Sequence, residues 1–228
     1  VADAQHEHIA VGTARGNVIV FTADFEFLIT FCGHRNGVRL LAFNETGDRL
    51  ASAGTELEVV VWDVVREEGL CRLAGHLGQL RGVVFLGEYL LSVAEDGLVK
   101  LWDLDIQQCR QTLVGHRSPI RAVVRVEERV LLTATADGKL RVLERVDRDD
   151  EIVVIRGEGT LNVSGFVEEF SVAGEFCAML LNGGTVAVGE IVSARHRAES
   201  KKRKRRIAHG EFLLSDYVSL RHAMRINQ

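Results

Sequence analysis

Residues 75–116 read GHLGQLRGVVFLGEYLLSVAEDGLVKLWDLDIQQCRQTLVGH, and this stretch decides the fold. It runs from one Gly-His pair to the next and holds a Trp-Asp pair about two thirds of the way along. Short runs rich in Val and Leu alternate with Gly and Asp, which is typical of short strands joined by tight turns. The stretch therefore predicts one antiparallel unit of about 40 residues.

The same marks recur along the chain at nearly constant spacing. Gly-His pairs stand at Gly33-His34, Gly75-His76 and Gly115-His116, and Trp-Asp pairs stand at Trp62-Asp63 and Trp102-Asp103. A degenerate pair, Leu143-Glu144, lies one further period along, and Phe21 lies one period before the first Trp. A unit of about 40 residues that runs from Gly-His to Trp-Asp is the signature of a WD-repeat propeller blade of four antiparallel strands.

The repeat predicts an all-β fold, a WD-repeat β-propeller with about five blades of an incomplete ring, seven blades being usual, and one basic helical insertion. The chain is expected to open inside a blade, with its first three strands near residues 8–12, 17–21 and 27–31. Missing sequence or a partner would close the ring, because an open ring leaves two unpaired sheet edges. The predicted blades are 1–31, 36–73, 78–114, 118–156 and 160–215, with the start of a next blade at 218–226.

His76, Ser92, Asp96 and Trp102 resemble a catalytic Ser-His-Asp constellation with an added indole. The repeat favours another interpretation, because near-copies occur in the neighbouring units and a catalytic site usually occurs once. In WD-repeat proteins these positions form a buried hydrogen-bonded set that ties the blade together. The other two sets are His34, Ser52, Glu56 and Trp62, and His116, Thr133, Asp137 and Leu143. With Glu in place of Asp in one and no indole in the other, these blades should be less firmly tied.

The other signatures of chemistry are absent from the sequence. There is no phosphate-binding GxxxxGK[ST], no HExxH, no GxSxG and no CxxC pair. We therefore predict no catalytic, cofactor-binding or metal-binding residue, no cofactor and no enzymatic activity.

A basic arm follows a mildly acidic body. Residues 191–228 hold ten Lys and Arg against three acidic residues, whereas residues 1–190 carry a formal charge of −11. Residues 193–206 read SARHRAESKKRKRR, and the helix-forming composition predicts a basic helical insertion over 193–207. A solvated helix, a nuclear-import signal and a contact to RNA phosphates all remain open. The candidate contact residues are Arg195, Arg197, Lys201, Lys202, Arg203, Lys204, Arg205 and Arg206.

Beyond the repeat, three stretches resemble one WD-repeat family in particular: VVWDVVREEGL (60–70), GTVAVGEIVSARHRAESKKRKRR (184–206) and HGEFLLSDYVSLRHAMRI (209–226). The sequence is similar to the family of U-three small nucleolar RNA-associated protein twelve, also called DOM34-interacting protein two, over about residues 9–226. This family is a tandem WD-repeat subunit of the UTP-B subcomplex of the small-subunit processome. The resemblance implies that the chain is a fragment of the first propeller.

The resemblance implies a non-catalytic scaffold of ribosomal small-subunit biogenesis in the nucleolus. Its expected partners are sister WD-repeat subunits of the UTP-B subcomplex, precursor ribosomal RNA and the U-three small nucleolar ribonucleoprotein. No membrane and no small-molecule substrate are expected. The alternative is a WD-repeat adaptor of another class, a ubiquitin-ligase substrate receptor or a trafficking subunit, which binds peptides and no RNA.

Overall fold

The computed structural model describes residues 2–3, 8–127, 130–148, 151–162, 167–173, 176–181, 185–191 and 218–225. Within these ranges the protein is all-β, and the strands form five four-stranded antiparallel sheets. The predicted all-β fold class is confirmed. In the described part, no helix has the length and apolarity that crossing a bilayer would require. Two compact units divide the chain at residue 117.

The first unit, Val1–Arg117, contains three sheets, and each sheet is built from strands that follow one another in the chain. The two middle strands of the second and third sheets are buried at most positions, because neighbouring elements cover both of their faces, whereas the last strand of each of these sheets is more exposed. The first sheet is β1 (Ala2–Asp3), β2 (His8–Gly12), β3 (Asn17–Thr22) and β4 (Phe27–Cys32). The second sheet is β5 (Val38–Phe43), β6 (Arg49–Gly54), β7 (Glu58–Asp63) and β8 (Glu68–Ala74). The third sheet is β9 (Leu80–Leu86), β10 (Tyr89–Ala94), β11 (Val99–Asp103) and β12 (Gln108–Leu113).

Two apolar layers hold the first unit together. One layer packs Val18 and Val20 of the first sheet against Leu50 and Val60 of the second. The other layer lies between the second and third sheets and includes Trp102, of which 3% is exposed. Burial of these side chains stabilises the unit by about 25 cal/mol for each Å² of apolar surface removed from water. The repeated strand pattern therefore produces a stack in which each sheet covers its neighbour.

The second unit, Ser118–Gln228, contains two sheets. In its first sheet, β14 is buried at every position, as expected for an inner strand with neighbours on both sides. The sheets are β13 (Ile120–Glu127), β14 (Val130–Thr135), β15 (Lys139–Arg148) and β16 (Glu151–Asn162), then β17 (Val167–Ala173), β18 (Phe176–Leu181), β19 (Thr185–Ile191) and β20 (Val218–Arg225).

Three predicted boundaries differ from the structure. A short strand, Ala2–Asp3, pairs with β2, so the first sheet has four strands where the sequence suggested three. The strand β16 continues to Asn162, beyond the predicted end at 156, because it pairs with the ten-residue β15 across a bulge. The third difference concerns residues 218–226, which the sequence predicts to begin a next blade. The strand Val218–Arg225 instead pairs with β19 and completes the last sheet. The predicted helix 193–207 lies outside the described residues.

Candidate functional site

The third sheet brings His76, Ser92, Asp96 and Trp102 into one hydrogen-bonded chain. The Trp102 indole N–H donates to Ser92 Oγ over 2.7 Å, and Ser92 Oγ lies 2.8 Å from His76 Nε2. His76 Nδ1 lies 2.9 Å from Asp96 Oδ2. Asp96 also accepts the backbone N–H groups of Leu77 and Leu98. We call this set the third-sheet quartet; it joins the linker before β9 to the turn between β10 and β11.

The electrostatics of the quartet favour a neutral imidazole beside an ionised carboxylate. Burial lowers the pKa of His76, although Asp96 opposes that shift. Burial alone would raise the pKa of Asp96, but the hydrogen bonds from Leu77, Leu98 and His76 outweigh it and lower the pKa. Neutral His76 then donates from Nδ1 to Asp96 and accepts the Ser92 hydroxyl proton at Nε2. Each side chain of the third-sheet quartet therefore has a hydrogen-bond partner.

The same geometry is a poor nucleophilic centre. Ser92 is fully buried, and only 4% of His76 is exposed. The Ser92 oxygen already accepts the indole N–H of Trp102, which occupies a lone pair that an attacking alkoxide would need. A cavity where a substrate carbonyl could approach the oxygen is essential to acyl transfer. The arrangement therefore serves to satisfy buried polar groups between strands.

The second sheet repeats the arrangement with a looser acidic contact. Trp62 donates to Ser52 Oγ over 2.7 Å, and Ser52 Oγ lies 2.7 Å from His34 Nε2. His34 Nδ1 is 3.4 Å from Glu56 Oε2, and Glu56 Oε1 accepts the N–H of Asn36. Burial lowers the pKa of His34. The longer Glu side chain thus reaches the linker backbone while its contact to the imidazole lengthens.

The third predicted set is divided between the two units. His116 belongs to the first unit, and Thr133, Asp137 and Leu143 belong to the second. Thr133 is buried and donates to the Arg141 carbonyl over 3.4 Å. Asp137 accepts the Thr135 hydroxyl and the Lys139 ammonium. Leu143 is 1% exposed, so an aliphatic side chain occupies the place that Trp has in the second and third sheets.

The turns between the third and fourth strands carry features that the sequence analysis did not single out. Asp63 Oδ1 accepts the N–H of Arg66, and Asp103 Oδ1 accepts the N–H of Ile106, so the Asp of each Trp-Asp pair caps its turn. One residue in each turn has positive φ: Phe25 at 63°, Glu67 at 61° and Gln107 at 55°. Exposed apolar side chains accompany them, namely Phe25, Val65 and Ile106. Aligning the repeats identifies the shared turn, but Val65 lies three residues after Trp62 and Ile106 lies four after Trp102, so these apolar positions are not equivalent.

The basic contact residues predicted at 195–206 lie outside the described residues. In the described part of the chain, no group of three or more His, Cys, Asp and Glu side chains is placed to hold a metal ion.

A cleft of about 160 Å³ borders Trp62 and is lined in part by Gly69 and Leu70. Clefts that enclose small molecules measure about 300–1,000 Å³.

Comparison with known proteins identifies the repeat. The family described as "WD domain, G-beta repeat" matches residues 25–63, 68–103 and 107–143. Protein HIR1 of Mycosarcoma maydis is 36% identical over 70 residues, which is 30% of this chain and 7% of HIR1. The crystal structure of the computationally designed Ika8 protein superimposes with a TM-score of 0.64 at 20% identity, over 81% of this chain and 55% of Ika8. The structure of U3-55K superimposes with a TM-score of 0.67 at 21% identity, over 82% of this chain and 59% of that chain.

These likenesses establish the fold. The chain spans less than two thirds of each of these proteins, and the two solved structures share about a fifth of their aligned residues with it. The three WD40 matches fall on strands that the structure describes. The second match contains Ser92 of the third-sheet quartet, and the third match contains Thr133 of the set that is divided between the two units.

Proposed function

We propose that this chain, a WD-repeat protein by its three WD40 repeats, is a non-catalytic scaffold in ribosomal small-subunit biogenesis. In this proposal it acts in the nucleolus and assembles with sister WD-repeat subunits of the UTP-B subcomplex. The assembly forms on precursor ribosomal RNA with the U-three small nucleolar ribonucleoprotein.

The observation that carries the scaffold assignment is the repetition of a closed, buried polar set. The side chains most suited to chemistry, His76 and Ser92, are engaged with each other and with Trp102 and Asp96. The same bonds recur around Ser52 in the adjacent sheet. A hydrogen-bonded set that recurs from sheet to sheet supports a structural role for these residues. Binding surfaces are then expected on the turns and sheet edges.

The ribosomal assignment is supported by sequence likeness and by charge. The stretches at 60–70, 184–206 and 209–226 resemble the UTP-B family, and U3-55K has the same fold. Six consecutive Lys and Arg residues at 201–206 repel one another, and a polyanion would relieve that repulsion. With few aromatic side chains nearby, the expected contact is to phosphates and is nearly independent of base sequence.

The proposal is tested by replacing Lys201–Arg206 with Ser and measuring binding to precursor ribosomal RNA across a salt series. Because each neutralised phosphate contact contributes about 0.7–0.9 to the slope of log K against log[salt], loss of six should flatten the slope by about four to five. The control replaces six scattered arginines with Gln, which removes the same charge without a local cluster: Arg15, Arg35, Arg39, Arg66, Arg110 and Arg117. Equal effects of the two variants, or no precursor RNA with the protein from nuclear extract, would contradict the proposal. A WD-repeat adaptor of another class predicts no RNA binding in either protein.

A further inference from the structure

The sheets of the first unit present two different ends. In a four-stranded meander, the first and third turns lie at one end, and the middle turn lies at the other. The linkers between sheets lie with the middle turns, since Asn36 donates to Glu56 and Leu77 donates to Asp96. We call the end with turns 23–26, 44–48, 64–67, 87–88 and 104–107 the turn face. The opposite end, the linker face, carries residues 13–16, 33–37, 55–57, 75–79, 95–98 and 114–117.

Charge separates the two faces sharply. The turn-face loops contain seven carboxylates and one cation, Arg66, for a formal charge of −6. The linker-face loops contain three arginines and three carboxylates, for a formal charge of zero with neutral histidines. Arg49, at the start of β6, pairs with Glu88 over 2.7 Å and offsets one of the turn-face charges. The seven turn-face carboxylates are Asp24, Glu26, Glu45, Asp48, Glu67, Glu88 and Asp105.

Apolar side chains stand among these carboxylates at the equivalent turn of three consecutive sheets. Phe25 is 75% exposed, Val65 is 75% exposed and Ile106 is 51% exposed. The core does not require them, because the turn residues Val64 and Leu104 already fill the interior at 8% and 7% exposure. Single exposed apolar residues are ordinary, but one at the same turn of each sheet forms a patterned surface.

Phe25 has a left-handed backbone, as one residue does in each corresponding turn of the next two sheets. Its φ of 63° lies in the left-handed region, where Gly or Asn is favoured and a bulky aromatic residue is an outlier. An aromatic side chain held there in solvent gains no burial that would offset the strain. Because Glu67 and Gln107 hold the same conformation in the next two sheets, the left-handed φ belongs to the turn, and the 75% exposure of the Phe25 ring is the feature that points to a contact outside this chain.

We propose that the turn face is the docking site for a segment of a partner protein that carries Lys or Arg beside apolar side chains. Phe25, Val65 and Ile106 supply the apolar anchors, and the surrounding carboxylates attract and orient the basic groups. The charge of this face selects against nucleic acid, because the carboxylates repel phosphates. The proposal goes beyond the scaffold function by assigning a surface and the chemistry of its partner.

The test selects random dodecapeptides displayed on phage against the full 228-residue chain. The enriched peptides should combine Lys or Arg with apolar residues. Synthesised, they should bind the variant Phe25→Asn/Val65→Ser/Ile106→Ser at least tenfold more weakly than the unchanged protein. Asn tolerates left-handed φ, so the variant should unfold at the same temperature or higher. The matched control is Leu77→Ser, which alters an 86% exposed apolar side chain on the linker face and should leave binding unchanged.

A second variant tests the charge. The substitutions Asp24→Asn, Glu67→Gln and Asp105→Asn should weaken binding about tenfold at low salt, and the difference should shrink towards 1 M salt, where screening reaches about 3 Å. Enriched peptides without basic residues, or equal affinity for the apolar variant and the unchanged protein, would overturn the proposal. It would also be overturned if peptides bound only after Lys201–Arg206 were replaced with Ser, since the occupant would then be the chain's own basic run.

Discussion

Removal of the Ser92 hydroxyl should strongly destabilise the first unit. Ser92→Ala takes away the acceptor of the Trp102 indole N–H at 2.7 Å and the partner of His76 Nε2 at 2.8 Å. Trp102 and His76 are 3% and 4% exposed, so water cannot replace the lost oxygen. An unpaired buried polar group costs about 1–3 kcal/mol, and two of them give a loss of about 2–6 kcal/mol. That is a large share of the roughly 5–15 kcal/mol that holds a typical domain folded.

Urea unfolding followed by tryptophan fluorescence measures this loss directly. The chain has two Trp residues, Trp62 and Trp102, and both lie in quartets of the first unit, so the signal reports on that unit. Thr112→Ala is the matched control, since it removes an exposed hydroxyl that accepts from Lys100, and it should change stability by less than about 0.5 kcal/mol. A Ser92→Ala protein as stable as the control would refute the reasoning and reopen a reactive role for Ser92.

Two further outcomes are expected. Burial lowers the pKa of both His34 and His76, so the unfolded chain binds protons more readily than the folded one. The contribution of these histidines to the free energy of unfolding should therefore be complete above about pH 6.5 and should fall as the pH drops towards 5. A urea midpoint that stays constant from pH 7.5 to 5.5 would contradict this expectation. Leu57 has φ of 65° at the turn position where the neighbouring repeats have Gly97 and Gly138, so Leu57→Gly should raise the thermal midpoint by relieving about 1 kcal/mol of strain, whereas Leu57→Ala should not.

The strands of the second and third sheets were predictable because two periods agree there. Short Val- and Leu-rich runs bounded by Gly, Asp and Asn mark the strands, and the spacing from Gly-His to Trp-Asp fixes which strand each one is. The run Val38–Phe43 is an example: it follows Gly33-His34 and forms β5 within the predicted blade 36–73. The partners in the third-sheet quartet were predictable for the same reason, because repetition identifies equivalent positions without knowledge of distances.

The pairing of the last strand was not predictable from pattern alone. The sequence pattern predicts strands at both 211–215 and 218–226, and this pattern does not determine which of the two pairs with β19. The acidic turn face was missed for a different reason. Net charge along the sequence averages over both ends of every sheet, whereas the carboxylates gather at one end only after each strand reverses direction. The position of each carboxylate at one end or the other follows from assigning the turns and cannot be read from composition.

The quartets also explain which of their members can change. The hydroxyl has an alternative partner, because Ser52 Oγ lies 3.4 Å from the Val60 carbonyl and Thr133 Oγ1 lies 3.4 Å from the Arg141 carbonyl, at the equivalent place on the next strand. Loss of the indole removes one donor to the hydroxyl oxygen, but the hydroxyl proton still has an acceptor in the imidazole or the backbone carbonyl. Loss of the hydroxyl instead leaves both the indole N–H and the imidazole Nε2 unpaired.

This asymmetry matches the variation within the chain, in which Leu143 replaces Trp and Glu56 replaces Asp while a hydroxyl is kept in every set. It further requires that Trp102→Phe cost less than Ser92→Ala. In the Trp102→Phe background, Ser92→Ala should lose part of its effect, since one of the two stranded groups is already gone. A double-mutant cycle with no coupling between these two positions would mean that the hydroxyl does not act as the shared acceptor, and the account of the quartet as a structural tie would fail.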